Sequence, residues 1–291
     1  MLDTHDTPLN LRHQADSQAK REYDALQQEY YTHPTEDHAP PAHLSRALRF
    51  WPANFLATPR ELFAHDASDI DPYYSSRSRR PPRMIRFDAP SDEILLYTSA
   101  SCLNQHDAHG DRRAASACIL KPTGLHPSEH RHVALRLERK GPTGLFHLQE
   151  SNRAHIRAAI VALQCRQWRD EGWSSVVIAS DSEYLVEGIT NWVEIWQANG
   201  WRTSRDTGDN HEGDAVADRD LWEILLQDVL ELSAQGLEVK FWLTVHGLNK
   251  EASAEARLAA EALKDEESFC RYPWFGSTLR EAVRNLPCLP P

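Results

Sequence analysis

Cysteine is scarce in this 291-residue sequence: Cys102, Cys118, Cys165, Cys270 and Cys288 are odd in number and scattered. With no C-x-x-C pair, a disulfide framework and a thiolate zinc site are both disfavoured, and free thiols in a reducing compartment are expected. No run of 18 apolar residues occurs, and the start "MLDTHDTPLNLRHQ" has neither a basic beginning nor an apolar centre. No membrane span, no membrane partner and no signal peptide are therefore expected, which leaves cytoplasm or nucleus. A P-loop, a dinucleotide fingerprint and a Ser-His-Asp order are also missing. Positive charge is in deficit, with 32 Lys and Arg against 43 Asp and Glu and a formal net charge of -11. Such a chain repels phosphate on average, so nucleic-acid binding would need a local basic face.

What is present is enough apolar material, 41% of residues, to fill a core. Residues 1–90 are rich in His, Pro, Asp and Arg and lack sustained periodicity, apart from a polar helical pattern around Asp16 to Tyr31. They read as a partly irregular N-terminal extension. Its exception is "RFWPANFLATPRELF", whose Phe50, Trp51, Phe55 and Phe63 could strap onto the following domain. The run "RSRRPPRMIR" holds Arg77, Arg79, Arg80, Arg83 and Arg86; it reads as a solvated linker or as a weak nucleic-acid-binding patch.

From about residue 91 the pattern becomes regular. "ILLYTSA", "ASACILKP" and "HVALRLER" are strand-like runs at hairpin spacing and imply an antiparallel meander. "NRAHIRAAIVALQCRQWRDEG" carries apolar residues at helical spacing and predicts a helix that stops at Gly172. "SSVVIAS" is a continuous apolar run, as in a strand buried on both faces. "DSEYLVEGITNWVEIWQANGW" predicts one or two helices ending at Gly200, followed by a helix in "DRDLWEILLQDVLELSAQG", a strand in "LEVKFWLTV" and a helix in "NKEASAEARLAAEALK". The predicted organisation is an extension over 1–90, an α/β domain over 91–265 and a tail over 266–291.

Three pieces on these elements, "YTSASCLN", "SNRAHIRAAIVAL" and "IASDSEYLVEGI", together resemble the type-1 ribonuclease H family. Trp192, Gly200-Trp201, "DLW" at 220–222 and "FW" at 241–242 add to the likeness. The resemblance implies a ribonuclease H-like α/β fold, a five-stranded mixed sheet flanked by helices. It also implies a carboxylate cluster that holds two Mg²⁺ or Mn²⁺ ions and cuts the RNA strand of an RNA/DNA hybrid.

At the positions the resemblance assigns to catalysis, this chain departs from the family. Where the family reads Tyr-Thr-Asp-Gly-Ser, this chain has Tyr97-Thr98-Ser99-Ala100-Ser101; where it reads Asn-Arg-Ala-Glu-Leu, this chain has Asn152-Arg153-Ala154-His155-Ile156. Asp181 is the retained acid and the one weak metal-ligand candidate. The fourth position falls on Ser253 when counted from Asn249, or on Ala256 in an ungapped register from Trp242. Glu255, two residues from Ser253, points about 200° away around a helix. His246 falls near the family's mobile histidine. His155 and Asp181 together are too few ligands for a transition-metal site. The loop "WRTSRDTGDNHEGDAVADRDLW", in place of the basic protrusion of many members, sets Arg202, Arg205 and Arg219 against six acids. His126, His130 and His132 read as loop residues without a defined metal partner.

Three functions stay open. The leading one is an inactive pseudonuclease that serves as a nucleic-acid-binding or protein-interaction scaffold, with no cofactor expected. The second is an active hybrid endoribonuclease using Mg²⁺ or Mn²⁺ and recruiting Glu183, Glu251 or another acid. The third is a hybrid binder without cleavage that uses Arg77 to Arg86. Partners are accordingly an RNA/DNA hybrid or a protein, and the oligomeric state is open.

Overall fold

The computed structural model describes residues 47–54, 56–65, 83–86, 92–105, 112–120, 131–203, 213–262, 264 and 266–271. The predicted helix around 16–31, Phe55, Arg77, Arg79, Arg80, His126 and His130 lie outside the described residues. In chain order the strands are β1 (Leu48–Arg49), β2 (Phe63–His65), β3 (Met84–Arg86), β4 (Glu93–Leu103), β5 (Arg113–Ile119), β6 (His132–Arg136), β7 (Ser175–Ser180) and β8 (Glu238–Leu243). The helices are α1 (Pro59–Leu62), α2 (Ser151–Gln164), α3 (Glu183–Glu187), α4 (Val193–Ala198), α5 (Arg219–Ala234) and α6 (Lys250–Ala262). Among the described residues, no helix is long and apolar enough to cross a membrane.

The strands form one mixed sheet. Antiparallel β4, β5 and β6 make the expected meander, and parallel β7 and β8 follow on the other edge of β4. Every residue of β7 is buried, as its unbroken apolar run requires when both faces are covered. Alternation sorts the core. Ile94, Leu96, Val176, Ile178 and Phe241 face α2 and α5, whereas Leu95, Tyr97, Val177, Ala179 and Trp242 face the opposite side, where Ala252 of α6 packs.

Five strands were expected; among the described residues the sheet has eight. The additional three come from the extension: β1 lies parallel to β8, β3 pairs antiparallel with the first part of β4, and β2 pairs with β3. Phe50 and Phe63 stack against Trp242 at ring distances of 4.9 and 6.4 Å, so this aromatic strap is part of the second core. Trp51 stays exposed, under Arg49. Because Phe63 is fully buried, Phe63→Ala is expected to cost about 3–5 kcal/mol by urea denaturation. A loosely appended arm would show less than about 0.5 kcal/mol.

Two further differences have local causes. α2 ends at Gln164, not near Gly172, because the Trp168 indole N–H donates to the carbonyls of Ala162 and Leu163, at 3.1 and 3.2 Å. Those carbonyls would otherwise receive the next helical amides. Between α3 and α4 the chain widens into a π-turn at Gly188–Trp192, where a Cβ on Gly188 would lie 2.3 Å from the Trp222 ring.

Candidate functional site

Parallel pairing sets the site. Thr98 of β4 is in register with Ser180 of β7, so the next residue of each strand, Ser99 and Asp181, emerges at the same level. α6 crosses this end and brings Ser253, and Asn249 stands immediately before its first residue. The Ser99 hydroxyl lies 3.2 Å from Asp181 Oδ1 and 3.0 Å from the Ser253 hydroxyl, which is itself 3.1 Å from the Asn249 carbonyl. Each hydroxyl has one proton to give, so two of these three bonds form at a time. Of the two residues the register left open, Ser253 lies in this network, while Ala256 is fully buried in the helix packing.

Asp181 is enclosed by donors. Asn249 Nδ2 donates to its Oδ1 at 3.0 Å and to the Thr98 carbonyl at 2.7 Å, and His246 Nδ1 sits 2.6 Å from Oδ2. The carboxylate is 8% exposed, whereas the His246 ring stands mostly in solvent. His155, on α2, is half-buried with Nδ1 sealed from solvent and unpartnered among the described residues. Burial holds its pKa below the usual histidine value, helped by His246 and opposed by Asp181. The imidazole is therefore neutral at pH 7.

The acids of α6 nearest this end pair elsewhere. Glu251 is 3.8 Å from Arg131, and Glu255 is 3.4 Å from His132, both at the start of β6. The donor set does not fit a pair of Mg²⁺ or Mn²⁺ ions. Two divalent ions about 4 Å apart repel by about 16 kcal/mol at an effective dielectric of 20, and one carboxylate bridging both returns about 8 kcal/mol per ion, which only cancels the repulsion and leaves the cost of stripping water from the ions unmet. Hydroxyls and a neutral imidazole add no charge to close that gap.

The basic residues of the sequence also fall differently from expectation. Arg83, read as part of a phosphate-binding run, is 3% exposed, and its Nη2 donates to both oxygens of Glu171 at 3.0 Å. Its guanidinium is committed inside the fold. Arg153 is equally hidden and donates to Asp218 at 2.9 Å and to both oxygens of Asp220 at 2.8 and 2.7 Å. Two acids of the loop expected to repel phosphate are thus neutralised internally. His147 joins them to make a cluster with metal-ligand spacing, but Arg153 already supplies the cation. Buried arginines need carboxylate partners, and that demand was the signal that could have found this clamp in the sequence.

An RNase H family model matches residues 91–256. Ribonuclease H1 of Rattus norvegicus is 29% identical over 219 residues, which cover 72% of this chain and 65% of the relative. Ribonuclease H1 of Homo sapiens is 30% identical over 186 residues, 62% of this chain and 54% of the relative. Ribonuclease H of Blochmanniella floridana is 30% identical over 174 residues, 58% of this chain and 84% of the relative. The chain thus spans less than two thirds of the length of these mammalian relatives. Among solved structures, LC9-RNase H1, a type 1 RNase H with the type 2 active-site motif, is 24% identical with a TM-score of 0.41, over 61% of this chain and 76% of that one.

Proposed function

This chain belongs to the RNase H family, and from that premise we propose that it is a pseudonuclease, a scaffold that has kept the fold and lost the hydrolytic centre. The observation that carries this reading is the hydrogen-bonded closure of Ser99, Ser253, Asn249 and His246 around Asp181. Four acids in an active member would repel one another until metal arrives; here one acid is hydrogen-bonded by side chains without it. The site closes hydrogen bonds around Asp181 and is electrostatically insufficient as a two-metal centre.

Charge supports a protein as partner over an RNA/DNA hybrid. The guanidinium groups of Arg83, Arg136, Arg153 and Arg157 are all buried and cannot contact phosphate, and the whole chain carries -11. In contrast, Leu145, Phe146 and Leu148 stand exposed in sequence beside one another, as residues of protein contacts do.

The test is incubation of the full chain with labelled RNA/DNA hybrid in Mg²⁺ or Mn²⁺, beside Asp181→Asn. Equal, background-level cleavage by both proteins is expected. Cleavage by the wild type that disappears in the variant would return the chain to the active ribonucleases.

A further inference from the structure

Between β6 and α2 the chain doubles back on itself, over 139–141 and 145–147. The Gly141 amide donates to the Leu145 carbonyl and the His147 amide to the Arg139 carbonyl, both at 2.9 Å. Lys140 and Phe146 stand opposite each other between these bonds, so the N–H and C=O of each point away from the other strand. The two outward edges then differ. On the Lys140 side the segment 267–269 fills the edge: the Lys140 amide donates to the Glu267 carbonyl at 2.8 Å, and the Phe269 amide donates to the Lys140 carbonyl at 2.9 Å. On the other side, the Phe146 amide and carbonyl and the Leu148 amide have no partner among the described residues.

The side chains follow the same alternation. His147 turns inward, its Nε2 3.3 Å from Asp220 Oδ2, so Phe146 turns out on the opposite face of the ribbon, with the Lys140 ammonium 5.0 Å from its ring centre. Leu145, Phe146 and Leu148 are 65%, 71% and 67% exposed. An open edge of this kind is ordinarily blunted by proline, lysine or a covering segment. Within 145–148 there is no proline, no lysine and no acid.

The backbone selects the occupant. Unpaired groups along a strand edge are matched by another extended chain, which a helix cannot offer because its own amides are already bonded. The segment 267–269 is the precedent, since it has added to the other edge of this same hairpin. Size disfavours a second copy of the chain. A large aromatic side chain brings about 150–250 Å², and three side chains fall short of the roughly 800 Å² per partner of a stable interface. Strand addition draws its affinity from main-chain hydrogen bonds and suits a short segment.

Resting on the scaffold reading above, we propose that 145–148 is a docking edge for an extended segment of a protein partner. The segment adds as a strand beside Phe146, and its apolar residues, at alternate positions, pack on Phe146 and Leu148.

Selection of a phage-displayed library of random short peptides against the full chain tests this. Enriched peptides are expected to alternate apolar residues. A synthetic copy of one is expected to bind wild type and Asp181→Asn equally, and to bind Phe146→Pro and Leu148→Ser about tenfold more weakly. In wild type it should also protect the Phe146 and Leu148 amides from hydrogen exchange. Phe146→Pro deletes an amide that the hairpin does not use, in a backbone setting that an edge strand tolerates, and Leu148→Ser alters an exposed side chain, so both should keep the wild-type urea midpoint. No enrichment, or peptides that bind Phe146→Pro as tightly as wild type, would overturn the docking edge; with the hybrid still uncut, the pseudonuclease reading would survive that failure. A wild-type dimer in sedimentation that Phe146→Pro dissociates would give the edge to a second copy and overturn the partner assignment as well.

Discussion

The combined variant Ser99→Asp, His155→Glu, Ser253→Asp is expected to turn a protein indifferent to Mg²⁺ into one that needs it. In the wild type the Ser99 hydroxyl bridges Asp181 and Ser253 at 3.2 and 3.0 Å. Acids placed there face Asp181 at about the same range, where each pair of like charges repels by about 4 kcal/mol at an effective dielectric of 20. Without metal the variant should therefore be less stable by several kcal/mol, and its carboxyls should titrate upward to relieve the repulsion. Adding Mg²⁺ reverses this, with about 2.7 kcal/mol regained at one hundred times the dissociation constant. Thermal melts with and without Mg²⁺ read both halves, and hybrid cleavage by the variant but not the wild type gives a third readout. If the variant melts at the same temperature in Mg²⁺ and in chelator, the register or the assignment of these positions is wrong.

The single change Ser99→Asp separates charge from metal. It sets a second acid beside Asp181 without enough ligands for two ions, so destabilisation should appear with little rescue. Stepwise addition of His155→Glu and Ser253→Asp should then restore the Mg²⁺ response non-additively, because a two-ion site forms only when its charges are assembled together.

What could be read from the chain alone follows the range of each interaction. The meander and the buried β7 strand were legible because alternation and unbroken apolar runs are local consequences of burial. β1, β2 and β3 were not, since strands of two or three residues are too short to show a period, and only Phe50 and Phe63 hinted that the extension packs down. The end of α2 was hidden because an indole four residues beyond it takes the carbonyls that would continue the helix. That Ser99, Asp181 and Ser253 meet could not be read from a register that left Ser253 and Ala256 equally open, because it depends on how α6 crosses the sheet. The Arg153 clamp joins residues more than 60 positions apart, and no periodic pattern encodes such a pairing.

That clamp sets the second large effect. Arg153 is 2% exposed, and Asp218 and Asp220 retain only 12% and 7% of their side-chain surface. Arg153→Met keeps the aliphatic stem but leaves two buried acids without their cation, at an expected cost of about 3–5 kcal/mol at pH 7. The backbone of Gly141 presses on the same group, where a Cβ would stand 2.1 Å from Asp220 Oδ2, so the loop has little freedom to let water in. The pH dependence distinguishes a lost ion pair from lost packing. In the wild type, burial pushes Asp220 up, but hydrogen bonds and charge from Arg153 outweigh it and hold the carboxyl below its ordinary value. A folded pKa below the unfolded one contributes stability above about pH 4, and that contribution is lost as pH falls through the folded value. In Arg153→Met burial is opposed only by His147 and the Leu221 amide, so Asp220 rises relative to wild type and the variant loses less stability than wild type as pH falls from 7 toward 4. Urea denaturation at pH 7 and pH 5 should therefore show a penalty that shrinks on acidification, and adding Asp218→Asn with Asp220→Asn should recover most of it. A penalty equal at both pH values would mean that Arg153 matters for its volume and not for its charge.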